Sequence, residues 1–511
     1  MGFISCSKEN ESPIQNLHLT ENRSLRSSGR TDLIKDISAI REKGKFNNPY
    51  YVGTIKRAYE KLKLEGKILK AYNINGNNLY IRYLPKNENE LYLLRSNPNI
   101  ELSTYPLQEN DVNNIATHHY DDGTLADDQI SFQYSVCGIG QIIPNFETDI
   151  LDTLFLNHIN PTIDDEDWKK IEAEALVATG NLNTNDVQAF IFCSHWYPGG
   201  KIEIWDDVKG IIPLKKAKVK ASKWYHVETA ETSGGGYFQM SRMCGDVRYS
   251  IEWENGIWDI RDGKLKQAVT DGPKKKGLWL HLIKDDKKSL GFGTVHRSLV
   301  RYFFEDVAGL RRPFPGAQYL KVSYRHESGV SNGYFSSSGF EGLFASHVHI
   351  FGFNGSTLRQ TQSIFSTTSH ELAHVAHAFQ IGNIQFWQVS NLIVESWARA
   401  CQWKITELEY GNSPSPVPGS MQGWSFSSSA GSGNNYNPLF VDLEDNFNQN
   451  SSNPSLPNDV VSGYTLSLIQ SNVLSDSYGL TSLRNRLKSQ KPIGVTDAQI
   501  DTNLQYYFNN F

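Results

Sequence analysis

The sequence predicts a multidomain α+β protein, and three observations carry that reading. A chain of 511 residues is too long for one ordinary core. From Val187 to about Gly263 apolar and polar residues alternate with period two between glycine-rich turns, whereas helical spacing dominates the last third of the chain. Aromatic residues make up 12% and charged residues 21%, a composition that fills large cores and argues against extensive disorder. The expected parts are a small α/β N-terminal domain, a β-sandwich middle domain and a mainly helical C-terminal domain with a small edge-strand sheet.

Residues 1–30 read as a tether. Phe3-Ile4-Ser5-Cys6, followed by polar residues through Arg30, resembles a bacterial lipoprotein cleavage site, although the charged start and long apolar stretch of a signal are missing. That resemblance implies export, a lipid anchor at Cys6, and a place on the cell surface or outer membrane of a Gram-negative bacterium. Residues 31–107 read as helix (Asn48 to Leu64), strand (Gly76 to Pro85), helix (Lys86 to Asn97) and strand (Ile100 to Leu107). Placed ahead of a hydrolase, such a unit resembles a propeptide or inhibitor-like domain that could cover a cleft. Residues 108–187 form a connector with His118-His119, the acidic loop Asp121 to Gln129 and a helix from Asp167 to Ala178. The loop lacks the EF-hand spacing and its closing Glu, so solvated carboxylates are preferred to a calcium site.

The middle domain is expected over 188–270. "GGKIEIWDDVKGIIPLKKAKVKA", followed by "TAETSGGGYF", resembles the carboxypeptidase regulatory-like, transthyretin-type β-sandwich, in which G-x-I, P-L-x-x-A-x-V and T…G-x-F strands recur in that order. About seventy residues carry the likeness, which implies a structural or positioning module rather than chemistry. Sugar binding by Trp205, Trp253 or Trp258 is the alternative to core or edge packing. The cysteines beyond Cys6 are Cys137, Cys193, Cys244 and Cys401. They show no CxxC spacing, and Cys193 with Cys244 is the pair to test as a disulfide in an exported protein.

The remainder, 275–511, is read as helix (Thr294 to Ala308), strand (Gln318 to His326), a Gly- and Ser-rich stretch, and strand (Phe344 to Phe353). After the histidine cluster comes a polar loop from Asn412 to Asn435. Final helices are expected near Val460 to Val473, Leu480 to Lys488 and Asp497 to Tyr507.

"STTSHELAHVAHAFQIG", residues 366–382, contains His370-Glu371-Leu372-Ala373-His374, the HExxH pattern. On a helix, positions four apart differ by about 40° and one turn, so both imidazoles reach one metal ion while Glu371 reaches its water. Chance alone yields about one such match per fifty chains of this composition, so the flanks matter. With His370 at 0°, Phe365, Thr368, Leu372, Val375 and Phe379 fall between about 140° and 220°, while His374 and His377 lie within about 40° of zero. A second helix follows in "NLIVESWARACQW", with Phe386, Val389, Ile393, Trp397 and Ala400 on its apolar face and Glu395 pointing away. Twenty residues separate His374 from Glu395, enough for one turn, a loop and the start of an antiparallel helix.

HExxH followed by a glutamate on the next helix resembles the gluzincin metallopeptidases, the thermolysin-like and aminopeptidase-like zinc hydrolases. The resemblance implies Zn2+ held by His370, His374 and Glu395, with Glu371 as general base, and an edge strand, here Phe344 to Phe353, above the metal. It departs from thermolysin at Arg399, where that enzyme has an Asp that orients its first His. The metzincin spacing fails, because its Gly falls on His377 and its third His on Gln380. His377 is the alternative third ligand. Gluzincins stabilise the oxyanion with a Tyr or His from elsewhere, for which Tyr464 is the first candidate and Tyr436 and His349 follow. His347 and His349, on one face of a strand, are read as cleft lining or packing.

The net charge of -5 gives no footprint for nucleic acid, and no run of eighteen apolar residues spans a bilayer. The expected function is hydrolysis of peptide bonds in extracellular proteins or glycoproteins. The alternative is a surface lipoprotein that binds glycan or protein and carries a structural or degenerate zinc site.

Overall fold

A computed structural model describes residues 48–510, except 98–99, 105–106, 108–129, 142–146, 160, 264, 285–286, 314–318, 330, 337–346, 412–436, 452–453 and 455–456. Cys6 and its tether, His118-His119, the acidic loop, Phe344, the polar tract after Asn412 and Tyr436 therefore lie outside the described residues. The chain is mixed α+β. No helix among the described residues is long and apolar enough to cross a membrane.

At the N-terminal end, the strand Asn78–Tyr83 lies between Gln133–Gly138 and Thr148–Leu154, antiparallel to both. Helices Val52–Leu64 and Asp165–Ala178 pack on each other, and Ile55, Leu62, Tyr80, Leu154, Trp168 and Ile171 fill a shared core. Two of the three strands come from residues expected to be a connector, so the expected boundary at 107 runs through this sheet. Among the described residues of the expected strand Ile100 to Leu107 no ladder forms; Ser103 pairs with Tyr134 in an isolated bridge.

This unit is anchored by buried charge rather than laid on a surface. Arg95 pairs with Glu254 and, at 2.9 Å, with Asp259. Glu88 accepts from Arg261 at 2.9 Å, and Lys220 donates to Ser103 at 2.6 Å and to Glu252 at 2.9 Å. Stripping either side from such pairs would leave uncompensated buried charges, which disfavours a detachable propeptide.

Most of the period-two segment forms two larger sheets, beside a short pairing of His195–Trp196 with Met243–Cys244. In one, Val269–Lys275, Val247–Glu252, Lys218–Lys223 and His226–Glu231 follow in antiparallel order. In the other, Gly199–Asp206 lies between Trp279–Ile283, parallel to it, and the antiparallel Gly210–Pro213, with Tyr237–Gln239 also paired to it. Rings from both sheets meet, Phe238 at 6.1 Å from Tyr249 and Tyr249 at 5.4 Å from Trp279. Trp253 and Trp258 are core residues at 1% and 0% exposure, which removes them as sugar platforms, while Trp205 is half-buried beneath Lys284.

A further sheet runs Lys266–Gln267, Trp258–Asp262, Leu320–Ser328, Val348–Asn354, Gly333–Phe335, with Thr357–Leu358 paired to Val348–Asn354. Its three long strands are parallel and Gly333–Phe335 is antiparallel. This corrects the expected edge strand, since Val348–Asn354 is interior and Gly333–Phe335 stands at the end of the strand order. The expected boundary near 270 is also crossed, because Trp258–Asp262 joins this sheet while Trp279–Ile283 belongs to the preceding pair. One apolar core spans both regions.

The helix expected from Thr294 begins at Lys287, through Gly291 and Gly293. Gly291 is needed there, since a Cβ would come within 2.0 Å of the Tyr324 ring, so the glycine marks close helix–strand packing and not a break. The helix expected from Val460 begins only at Leu466 and continues as a π-helical turn to Val473, because Gly463 holds φ +91. Leu480–Ser489 and Asp497–Asn510 form where the period placed them.

Candidate metal centre

The histidine cluster lies on the helix Thr361–Ile381, whose start is fixed from the two-sheet region. Asp207 accepts from the Thr361 amide at 2.7 Å, capping the helix, and the Asp207 amide donates back to the Thr361 hydroxyl at 2.8 Å. Asp206, fully buried, accepts from Arg297 at 2.6 Å and from the Tyr410 hydroxyl at 2.9 Å. Phe365, Leu372 and Val375 pack into the core as the helical period requires, but Phe379, assigned to the same stripe, is 47% exposed. After Gly382 and a short helix, Asn391–Tyr410 returns antiparallel, burying Ile393, Trp397 and Ala400.

This return brings three donor atoms together. His370 Nε2 lies 3.3 Å from Glu395 Oε2 and 3.2 Å from His374 Nε2, and His374 Nε2 lies 3.5 Å from Glu395 Oε2. The residues are 4%, 3% and 6% exposed, and their ligand atoms form a group that could hold a metal ion. Burial pushes the His370 imidazolium down to about 4, more than Glu395 restores, so His370 is neutral at pH 7 and offers a lone pair. Burial works upward on Glu395, but His374 and His370 outweigh it and hold the carboxyl well below the usual range. A carboxylate and two imidazoles converging in a buried site are the donor chemistry a divalent cation needs.

Glu371 is fully buried on the turn that carries the first histidine. His377 is not in the converging group; its ring meets Phe386 edge-on at 5.3 Å. Arg399, one turn after Glu395, depresses the basicity of His370 and donates to Gln402 at 3.2 Å, while Gln402 donates to Ser366 at 2.6 Å. The position that holds an orienting Asp in thermolysin is thus cationic, and it is tied to the turn preceding the ligands.

The oxyanion candidates fare differently. The buried Tyr464 hydroxyl donates to the Leu487 carbonyl at 2.8 Å, which makes it a packing tyrosine and corrects its assignment to the site. His349 stacks on Tyr334 at 4.3 Å, whereas Phe335, the next residue of that strand, stacks on His374 at 6.1 Å. Because side chains alternate along a strand, His349 is on the face away from the histidine helix. His347 accepts from the Lys321 amide at 3.0 Å and serves packing.

Three contributors had no signal in the local sequence. Asp207 is 154 positions from the helix it caps, and Phe335 sits in a three-residue strand. Arg359 donates to the carbonyls of Asn332 and Phe351, both at 2.9 Å, and to Thr367 at 2.6 Å, pinning the strand layer to the turn before Glu371. Burial lowers this guanidinium to about 10 even though Tyr324 and Glu371 favour its charge. No protein-family model, curated protein or solved structure matches the chain.

Proposed function

We propose that this chain is a zinc-dependent metallopeptidase of gluzincin type, with His370, His374 and Glu395 as the metal ligands. The observation that carries the reading is the donor triangle of 3.2, 3.3 and 3.5 Å. A tetrahedral zinc ion with bonds of about 2.0–2.1 Å separates its ligand atoms by about 3.3–3.4 Å. Two imidazoles and one glutamate leave a fourth position open, as hydrolytic sites require. When bound there, zinc supplies Lewis acidity, polarising a carbonyl and lowering the pKa of water.

The rest falls to the chain. Glu371, held between the two histidines in sequence and sealed from bulk water, takes the proton of the attacking water and returns it to the leaving amine. Arg359 and Thr367 fix the turn that carries Glu371, and Phe335 and Phe386 pack on His374 and hold its ring. Substrates of protein or glycoprotein class follow from the HExxH…Glu resemblance. The Cys193–Cys244 disulfide, with Cα atoms 6.1 Å apart, supports an exported protein, and the Phe3-Ile4-Ser5-Cys6 start supports a lipid anchor.

The test is hydrolysis of an unfolded protein substrate by purified chain. Activity that is lost with a chelator, restored by zinc and reduced by about 10²–10⁴-fold in Glu371→Gln is expected. A fully zinc-loaded chain that cleaves none of a diverse peptide set would favour the binding-protein alternative.

A further inference from the structure

A cavity of about 380 Å³ lies between the N-terminal unit and the two-sheet region, remote in the sequence from the histidine helix. Its size suits a small ligand. Trp168, Phe190, Trp224 and Tyr225 supply aromatic wall. Trp224 is held at φ +52, a conformation bulky residues rarely adopt and one that clusters at ligand sites.

The cavity is also a braced frame. The Cys193–Cys244 disulfide forms part of its lining, and Lys223 donates to the Cys244 carbonyl at 2.9 Å, tying the Trp224 turn to that disulfide. A frame assembled from segments far apart in sequence and locked covalently keeps its shape without a ligand, which lowers the ordering cost of binding.

Its polar groups select the chemistry. Asp165, Lys169 and Glu172 follow at helical spacing on Asp165–Ala178 and line the cavity together. The Tyr50 hydroxyl donates to Glu172 at 2.5 Å, and burial pushes the Glu172 carboxyl up towards its neutral form, against Tyr50 and Lys223. Lys169 and Arg242 line the cavity together with His195, which burial and then these two cations make less basic against the pull of Asp165. Aromatic walls with interspersed donors and acceptors suit a ring that carries hydroxyls. The excess of cations suits a carboxylate on that ring.

We propose that this cavity binds an acidic monosaccharide unit, with its carboxylate between Lys169 and Arg242 and its ring within the Trp168 and Trp224 walls. Uronates and sialates share this chemistry, and the experiment separates them. The full chain is titrated calorimetrically with glucuronate, with N-acetylneuraminate and with glucose. Saturable binding of one acid is expected, with glucose at least about tenfold weaker, and the acid that binds identifies the source. The Lys169→Ala/Arg242→Ala double variant should bind at least about tenfold more weakly with unchanged thermal melting, because both side chains reach solvent. Failure of both acids to saturate, equal binding of glucose, or full affinity in the well-folded double variant would each overturn the proposal. The readout involves no hydrolysis, so it stands apart from the role of the metal centre.

Discussion

Replacing Asp206 with alanine tests whether the two-sheet region and the histidine helix form one cooperative structure. Asp206 is fully buried and accepts from Arg297 at 2.6 Å, Tyr410 at 2.9 Å and the amides of Val208 and Lys209, both at 2.9 Å. Arg297 would keep Glu409, at 2.9 Å, but lose its fully buried counter-charge. Removing one partner of a buried pair costs about 3–5 kcal/mol, a large share of a typical stability of about 5–15 kcal/mol. Urea unfolding followed by far-UV circular dichroism and tryptophan fluorescence should show that loss, with both probes moving together and the m-value unchanged. The sign with pH is also fixed. Burial alone would raise the Asp206 carboxyl, but Arg297 and the backbone amides hold it below its ordinary value. The stability it contributes is therefore present above the usual carboxylate range, near pH 4, and lost as pH falls through the depressed value. A change under about 0.5 kcal/mol, or separate transitions with the helical part unshifted, would refute this reasoning.

Glu371→Gln should retain metal while hydrolysis falls by about 10²–10⁴-fold, the usual contribution of a general base, measured as turnover at matched zinc content. Asp459 is buried with one oxygen lacking any partner among the described residues, and burial raises its carboxyl to about 7. Its stabilising contribution is complete below the unfolded value near 4 and is lost as pH rises to 7, so Asp459→Asn should raise Tm at pH 8 and leave it nearly unchanged at pH 4. Opening the disulfide by Cys244→Ser frees a 51-residue separation and should cost about 2–4 kcal/mol, read by denaturation.

The parts of the fold written in local periodicity were legible. Val52–Leu64, Asp165–Ala178, Leu480–Ser489 and Asp497–Asn510 form within a few residues of where apolar spacing put them. The convergence of His370, His374 and Glu395 was legible for the same reason, because two helices of set period and a twenty-residue separation leave few arrangements. Long-range pairing was not. The strands Gln133–Gly138 and Thr148–Leu154 join a sheet with residues 50 or more positions earlier, and nothing in their composition names that partner. Tyr464 illustrates the same limit, since a tyrosine near a helix start looks alike whether its hydroxyl meets a substrate or the Leu487 carbonyl. The helix expected from Thr294 begins earlier, at Lys287, and the Tyr324 ring that requires Gly291 within it lies in a later strand.

The central claim is the metal, and the most direct measurement is elemental analysis of purified wild-type chain beside Glu395→Ala. About one zinc per wild-type chain, lost or weakly held in the variant, is the predicted result. A wild-type chain that takes up no zinc even after reconstitution would contradict the account.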